Sequence, residues 1–220
     1  MKNFNNLPLA LIFDMDGVLI DSRAFHLEAW VMFCNRYGIS MTAEEFNKNM
    51  FGGSNRDLME KVFGRNLTDA EIEMYATEKE VLYRELHGPS IHALSGVKKF
   101  IRIARAAGIK TAVATAAPRE NLDFTLDMTE MRDFFDVITD DSQVKKAKPD
   151  PEVYLKTADL LNMKVENCLV FEDSLTGIAA AQAAGMRVIG VSTSLSKMEL
   201  SHTWKVIHDF STLTLSDIKY

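Results

Sequence analysis

Asp14-Met15-Asp16-Gly17 carries the most chemistry of any short segment in the chain. It closes an apolar run, Leu9-Ala10-Leu11-Ile12-Phe13, that reads as a buried β-strand. Two carboxylates two residues apart at the end of such a strand face the same side of the local chain. Like charges held that close repel, so a metal cation or a shifted pKa is expected there. Gly17 lets the chain turn sharply afterwards. Three further polar groups stand at comparable places: Thr115 at the end of a second strand, Glu172-Asp173 after the apolar run Cys168-Leu169-Val170-Phe171, and Lys148 in a loop just ahead of a helix. Parallel α/β sheets bind ligands beyond the carboxyl ends of their strands. Given such a sheet, these groups converge on one rim. Hard oxygen ligands of this kind suit Mg²⁺. Each group alone has an ordinary use: Asp173 as a helix cap, Thr115 as a strand residue, Lys148 as a solvated charge. Their joint occurrence in this order is what points to a site.

The elements that must position them fall into three stretches. The first is the opening strand. The second, roughly from Ser22 to His92, shows helical signals and no strand. Phe25, Ala29, Trp30, Phe33 and Tyr37 recur at helical spacing, and Gly38 stops that helix. Thr42-Ala43-Glu44-Glu45 and Thr68-Asp69-Ala70-Glu71 have the form of capping boxes. The helix from Thr68 is expected to run to about His87, where Gly88-Pro89 ends it. The third stretch alternates. A helix from Val97 to Ala107 ends at Gly108; strands follow at Lys110 to Thr115, Asp136 to Thr139, Cys168 to Phe171 and Arg187 to Val191, with Lys205-Val206-Ile207 as a last edge. Asp150-Pro151 is expected to open a helix to about Asn162, with Asp150 as N-cap and Pro151 at the first helical position. Ser174 begins an alanine-rich helix that Gly185 terminates. Strands alternating with helices imply a parallel sheet covered on both faces. The all-helical stretch is then an insert, entered near Asp21 and left near Ser95-Gly96.

At 220 residues the chain can hold one large domain, or one domain with a smaller insert. A hydrophobic share of 47% makes a sizeable core attainable without disulfides or structural metals. The net charge of −6 disfavours nucleic acid as a partner, so an anionic ligand must be held by a local cationic pocket. Cys34 and Cys168 lie in apolar segments and are expected to fill core space in a reducing cytosol. No apolar stretch approaches the ~18 residues of a membrane span. The acidic pair interrupts the apolar start, so no secretory signal is expected. A cytoplasmic monomer with no membrane partner is the expectation.

In this order, these residues resemble the haloacid dehalogenase superfamily of phosphotransferases. Asp14-Met15-Asp16-Gly17-Val18-Leu19-Ile20-Asp21-Ser22 looks like its first motif and Ala114-Thr115 like its second. Lys148-Pro149-Asp150-Pro151 looks like the third, and Glu172-Asp173-Ser174 with Gly177 like the fourth. The helical insert resembles the cap of the β-phosphoglucomutase and phosphoglycolate phosphatase branch. The resemblance implies an α/β fold: a three-layer, Rossmann-like parallel-sheet core of residues 1–20 and 93–220, with an all-α helical cap of residues 21–92.

It also implies roles. Asp14 would be the nucleophile that forms an aspartyl phosphate. Asp16 would protonate the leaving oxygen and then deprotonate water, which requires a pKa above the usual ~4. Mg²⁺ would be held by Asp14, the Asp16 carbonyl and Asp173, with Glu172 acting directly or through a water. Thr115 and Lys148 would bind the phosphoryl group. In the cap, His26, Lys79 and Arg56, which follows the loop Gly52-Gly53-Ser54-Asn55, are carried over as substrate-binding residues, as are Ala116 and Arg119 in the core. Cap opening would admit substrate and closure would exclude water. The chain departs from the mutases where they carry Ser, Lys and Asn for the sugar's other phosphate; here Ala117, Pro118 and Arg119 stand. The expectation is therefore a Mg²⁺-dependent phosphatase of a small phosphorylated metabolite such as a sugar phosphate. The rivals are a β-phosphoglucomutase, a metal-free dehalogenase, against which Asp16 speaks, and a non-catalytic binding protein.

Overall fold

The computed structural model of the protein describes residues 8–49 and 55–219. In chain order the elements are β1 (Ala10–Phe13), α1 (Arg23–Arg36), α2 (Ala43–Asn49), α3 (Asn55–Phe63), α4 (Asp69–His87), α5 (Val97–Ala106), β2 (Lys110–Ala114), α6 (Arg119–Met128), β3 (Val137–Thr139), α7 (Glu152–Leu160), β4 (Cys168–Glu172), α8 (Leu175–Ala183), β5 (Arg187–Val191) and β6 (Lys205–Ile207). They form two compact units. One is made by the chain up to Asp21 and from His92 onward, the other by Ser22–Ile91.

The first unit is built on a six-stranded sheet of order β3-β2-β1-β4-β5-β6. Every pairing in it is parallel. Side chains alternate across the sheet, and each set finds its own apolar layer. Leu11, Phe13, Val113, Leu169, Phe171 and Ile189 pack with α5 and α6 on one face. Ala10, Ile12, Ala112, Ala114, Val170 and Val188 pack with α7 and α8 on the other. This two-sided cover is why β1 and β4 read as unbroken apolar runs. Phe13 and Phe171, level with each other in the β1–β4 pairing, stack 4.8 Å apart. That register brings the residues following β1 and those ending β4 side by side.

The second unit is helical among its described residues, with Trp30, Phe33, Phe46, Met59, Tyr75, Leu82 and Tyr83 in its core. Both expected capping boxes form. The Thr42 hydroxyl and Glu45 carboxylate exchange bonds with each other's backbone N–H, as do those of Thr68 and Glu71. Gly38, at φ +69°, follows α1 in the left-handed region that an L side chain avoids. The loop Gly52-Gly53-Ser54 lies outside the described residues.

Two local expectations shift. Strand β2 ends at Ala114, one residue early, although Thr115 N–H still bonds the Thr139 carbonyl of β3 at 3.0 Å. Helix α7 starts at Glu152 with Pro151 as its capping residue. Asp150 still accepts the Glu152 N–H at 3.1 Å, so its carboxylate caps from one residue further out.

Candidate active site

The acidic pair hangs from the C-terminal end of β1. Asp14 N–H is still held by the Phe171 carbonyl of β4 at 3.0 Å, so the nucleophile candidate is an extension of the sheet and not a loop residue. After it the chain turns back tightly. The Met15 carbonyl accepts the N–H groups of Val18, Leu19 and Ile20, and Gly17, at φ +74°, donates to Ile20 at 2.8 Å. A Cβ on Gly17 would fall 2.0 Å from Asp173 Oδ2, so this glycine is also what lets the β4 carboxylate approach the turn.

Lys148 ties the rim together. Its Nζ donates to Asp14 Oδ1 at 2.8 Å, to Glu172 Oε1 at 2.7 Å and to the Ala114 carbonyl at 3.3 Å. The ammonium also lies 4.9 Å from the centre of the buried Tyr154 ring. Tyr154, whose hydroxyl donates to Glu172 Oε1 at 3.0 Å, belongs to the site although it reads in the sequence as one more apolar position on α7. The signal for it is general: a fully buried tyrosine needs a partner for its hydroxyl.

Glu172 and Asp173 differ in what they can offer. Glu172 Oε2 accepts Asp173 N–H, Ser174 N–H and Ser174 Oγ, at 2.9, 2.9 and 3.0 Å. With Lys148 and Tyr154 on Oε1, both oxygens are taken by protein donors. Helix α8 rises directly over this carboxylate, and a Cβ on Gly177 would fall 1.6 Å from Glu172 Oε1. Gly177→Ala is therefore expected to lower the melting temperature by the equivalent of about 1–3 kcal/mol and to depress activity with it. A thermal melt and a rate measurement check both.

Asp14, Glu172 and Asp173 each bring an oxygen within 4.8 Å of the others, and all three residues are buried. The electrostatics follow. Burial first, and Glu172 next to it, push the Asp14 carboxyl up to about 7 against the pull of Lys148. Burial, then Glu172 and Asp14, push Asp173 well above the usual carboxylate range. Burial alone would lower Lys148, but Asp14 and Glu172 outweigh it and hold the ammonium well above its ordinary value. One fixed cation, paired with Asp14 and Glu172, thus serves three buried carboxylates. The missing positive charge and the hard oxygen donors fit a divalent cation. Among the neighbouring carboxylates, Glu172 raises Asp14 more than Asp16 does. Asp16, half-buried and bridged to Ile20, contributes the smallest of the effects on Asp14. Buried Thr115 stands beside this cluster at the end of β2, its Oγ1 accepting the Ala117 N–H at 3.1 Å.

The remaining predicted residues divide. Ala116 is exposed and offers only backbone to a ligand. Arg119 follows it, but Asp123 and Asp140 hold its guanidinium at 2.8 and 3.3 Å. In the helical unit, Lys79 Nζ lies 3.1 Å from His26 Nδ1 and 2.9 Å from Glu80 Oε1, over the rings of Trp30 and Tyr83. His26 stacks on Tyr83 at 3.9 Å. Arg56 is not brought to this pair. It bonds Glu60, Asp69 and the Leu67 carbonyl, and Asp69 is ten residues along α4 from Lys79, about 15 Å.

Known proteins resemble this chain in sequence and fold. The chain is 34% identical over 192 residues to a phosphorylated carbohydrates phosphatase of Thermotoga maritima, covering 85% of this chain and 87% of that one. A family IA haloacid dehalogenase-type hydrolase from Entamoeba histolytica superposes with a TM-score of 0.89 at 28% identity, over 95% of this chain and 96% of the other. A β-phosphoglucomutase from Clostridium difficile superposes with a TM-score of 0.84 at 28% identity, over 96% of each chain. Residues 11–191, which run from β1 to the end of β5 and include every group around Lys148, match the family model for haloacid dehalogenase-like hydrolases, and the chain belongs to that family.

Proposed function

We propose that the protein is a Mg²⁺-dependent phosphatase that hydrolyses a small phosphorylated metabolite, with a sugar phosphate as the favoured class. The observation that carries this reading is the buried set of Asp14, Glu172 and Asp173 around a single lysine, one cation short of balance. Asp14 would strike phosphorus through Oδ2, since Lys148 holds Oδ1. The P–O bond to the leaving group breaks as the Asp14–phosphorus bond forms, and Asp16 gives its proton to the departing oxygen. Asp16 then takes a proton from the water that cleaves the aspartyl phosphate. Thr115, whose oxygen already accepts a backbone N–H, has its own proton to donate to the phosphoryl group. Lys148 fixes the attack angle by holding Asp14 against Glu172. Mg²⁺, held by Asp14, Asp173 and the Asp16 carbonyl, would supply the charge that lets a carboxylate meet a phosphate dianion.

The Thermotoga relative's name supports a phosphorylated carbohydrate as substrate. The two cysteines, both free and buried, fit a cytoplasmic setting, and no helix among the described residues is long and apolar enough to cross a membrane. A screen of phosphorylated metabolites with and without Mg²⁺ tests the proposal. Phosphate release should fall by about 10²-fold or more in excess chelator and return on adding Mg²⁺. Undiminished turnover in chelator would overturn it.

The similarity to a β-phosphoglucomutase favours mutase activity as a second reading. Against it stand Ala117 and Pro118, which bring no side-chain donor, and Arg119, already neutralised by two carboxylates. Incubation with β-glucose 1-phosphate and a trace of the 1,6-bisphosphate separates the two. Release of inorganic phosphate supports hydrolysis, and accumulation of glucose 6-phosphate supports the mutase.

A further inference from the structure

We infer that the loop after β5 is a third arm of the site, with Ser194 and Thr193 as positioning residues. Thr193 Oγ1 donates to the Gly17 carbonyl at 2.6 Å, a bond that spans 176 residues of sequence. Ser194, two residues past Ser192, sets its hydroxyl against the Asp173 carboxylate and pulls that group down against the burial that raises it. The loop itself is pinned at its start, where Ser192 N–H meets the Ile207 carbonyl of β6 at 2.8 Å. One short segment therefore holds both the turn that follows Asp14 and the carboxylate that ends β4. Those two partners already touch, since any Cβ on Gly17 would overlap Asp173 Oδ2.

The two bonds have different consequences. A carboxylate with an outside hydroxyl donor is held in one rotamer, and groups that orient a metal ligand in this way are typically worth 10–100-fold in metal affinity. Ser194 therefore sets how well Asp173 is presented to a divalent cation. Thr193 acts on backbone. By fixing Gly17 it fixes the turn that presents Asp14 and the Asp16 carbonyl, so it bears on the rate as well as on the affinity.

This inference rests on the reading of the acidic cluster as a divalent-cation site. The test uses the full chain and titrates Mg²⁺ alone by calorimetry and by its effect on melting temperature, beside steady-state kinetics. Ser194→Ala should weaken Mg²⁺ binding about 10-fold, with kcat nearly restored at saturating Mg²⁺. Ser194→Thr, which keeps the hydroxyl, should restore affinity. Thr193→Val should weaken the Mg²⁺ titration and, unlike Ser194→Ala, still lower kcat at saturating Mg²⁺, with rescue of both by Thr193→Ser. Normal Mg²⁺ affinity in Ser194→Ala, or a Thr193→Val enzyme of full kcat, would overturn the inference. Absence of Mg²⁺ binding by the unaltered protein would instead remove the cation-site reading beneath it.

Discussion

Asp14→Asn turns over phosphomonoesters slower by about 10⁴-fold or more, and without metal at pH 8 it melts several degrees above the unaltered protein. The two effects share one cause. A buried carboxylate pushed up to about 7 by desolvation and by Glu172 is an unfavourable group in the folded state. The sign follows from the two end states. Unfolded, Asp14 loses its proton near its ordinary value of 3.8; folded, it keeps it to about 7. Between those values the folded state binds the extra proton, so raising the pH through this window removes stability, and above about 7 the full penalty remains. Asparagine has no charge to desolvate, and its Oδ1 can still accept from Lys148. At pH 4, where Asp14 is protonated in the folded state and half-protonated when unfolded, the advantage of the variant should nearly vanish.

Metal reverses the order. A cation that binds only the folded chain stabilises it by mass action, and Asp14 is one of the groups that would hold it. Adding Mg²⁺ at pH 8 should raise the melting temperature of the unaltered protein well above its apo value and move Asp14→Asn much less. Melting curves of both proteins at pH 4 and pH 8, with and without Mg²⁺, check the pattern. An Asn variant that melts lower than the unaltered apo protein at pH 8 would show that the charge at Asp14 is not the burden the geometry describes.

Much of this site is legible along the chain, and the reasons for the remainder are physical. Asp14 stands out because a wholly apolar strand ends in an acid, and a two-faced buried strand has no other use for one. The carboxylate that most raises it is hidden, because Glu172 meets Asp14 through the β1–β4 pairing and sequence periodicity carries no strand order. Asp16, near in sequence, also raises Asp14, though less than Glu172 does. Arg56 is suggested by the loop it follows and Arg119 by its place after the second motif, but their carboxylate partners include residues 13 and 21 positions further on, beyond any local pattern. Nothing in the local sequence marks Thr193 and Ser194. Their partners, Gly17 and Asp173, come to them only once β5 lies beside β4.

Lys148→Met should cost about 3–5 kcal/mol of stability and lower kcat by about 10²–10³-fold. Methionine keeps much of the stem's volume, so the loss reports the charge and its hydrogen bonds. Removing the ammonium leaves Asp14 and Glu172 buried without their common donor, and Tyr154 as the remaining side-chain donor on Glu172 Oε1. The pH dependence identifies which groups respond. Lys148 is held well above its ordinary value by the two carboxylates, so it stays charged in the folded protein throughout pH 5–9 and contributes no titration of its own there. The variant's deficit must then come from carboxylates that have lost their counter-charge, and they can relieve it by taking up protons. Its melting temperature should fall further below that of the unaltered protein at pH 8 than at pH 5. Lys148→Arg should not rescue activity, because a planar guanidinium cannot replace a compact ammonium that donates to Asp14, Glu172 and the Ala114 carbonyl at once. A Met variant that melts within a degree of the unaltered protein at pH 8, or that keeps most of its kcat, would show that Lys148 is not the charge around which the three carboxylates are arranged.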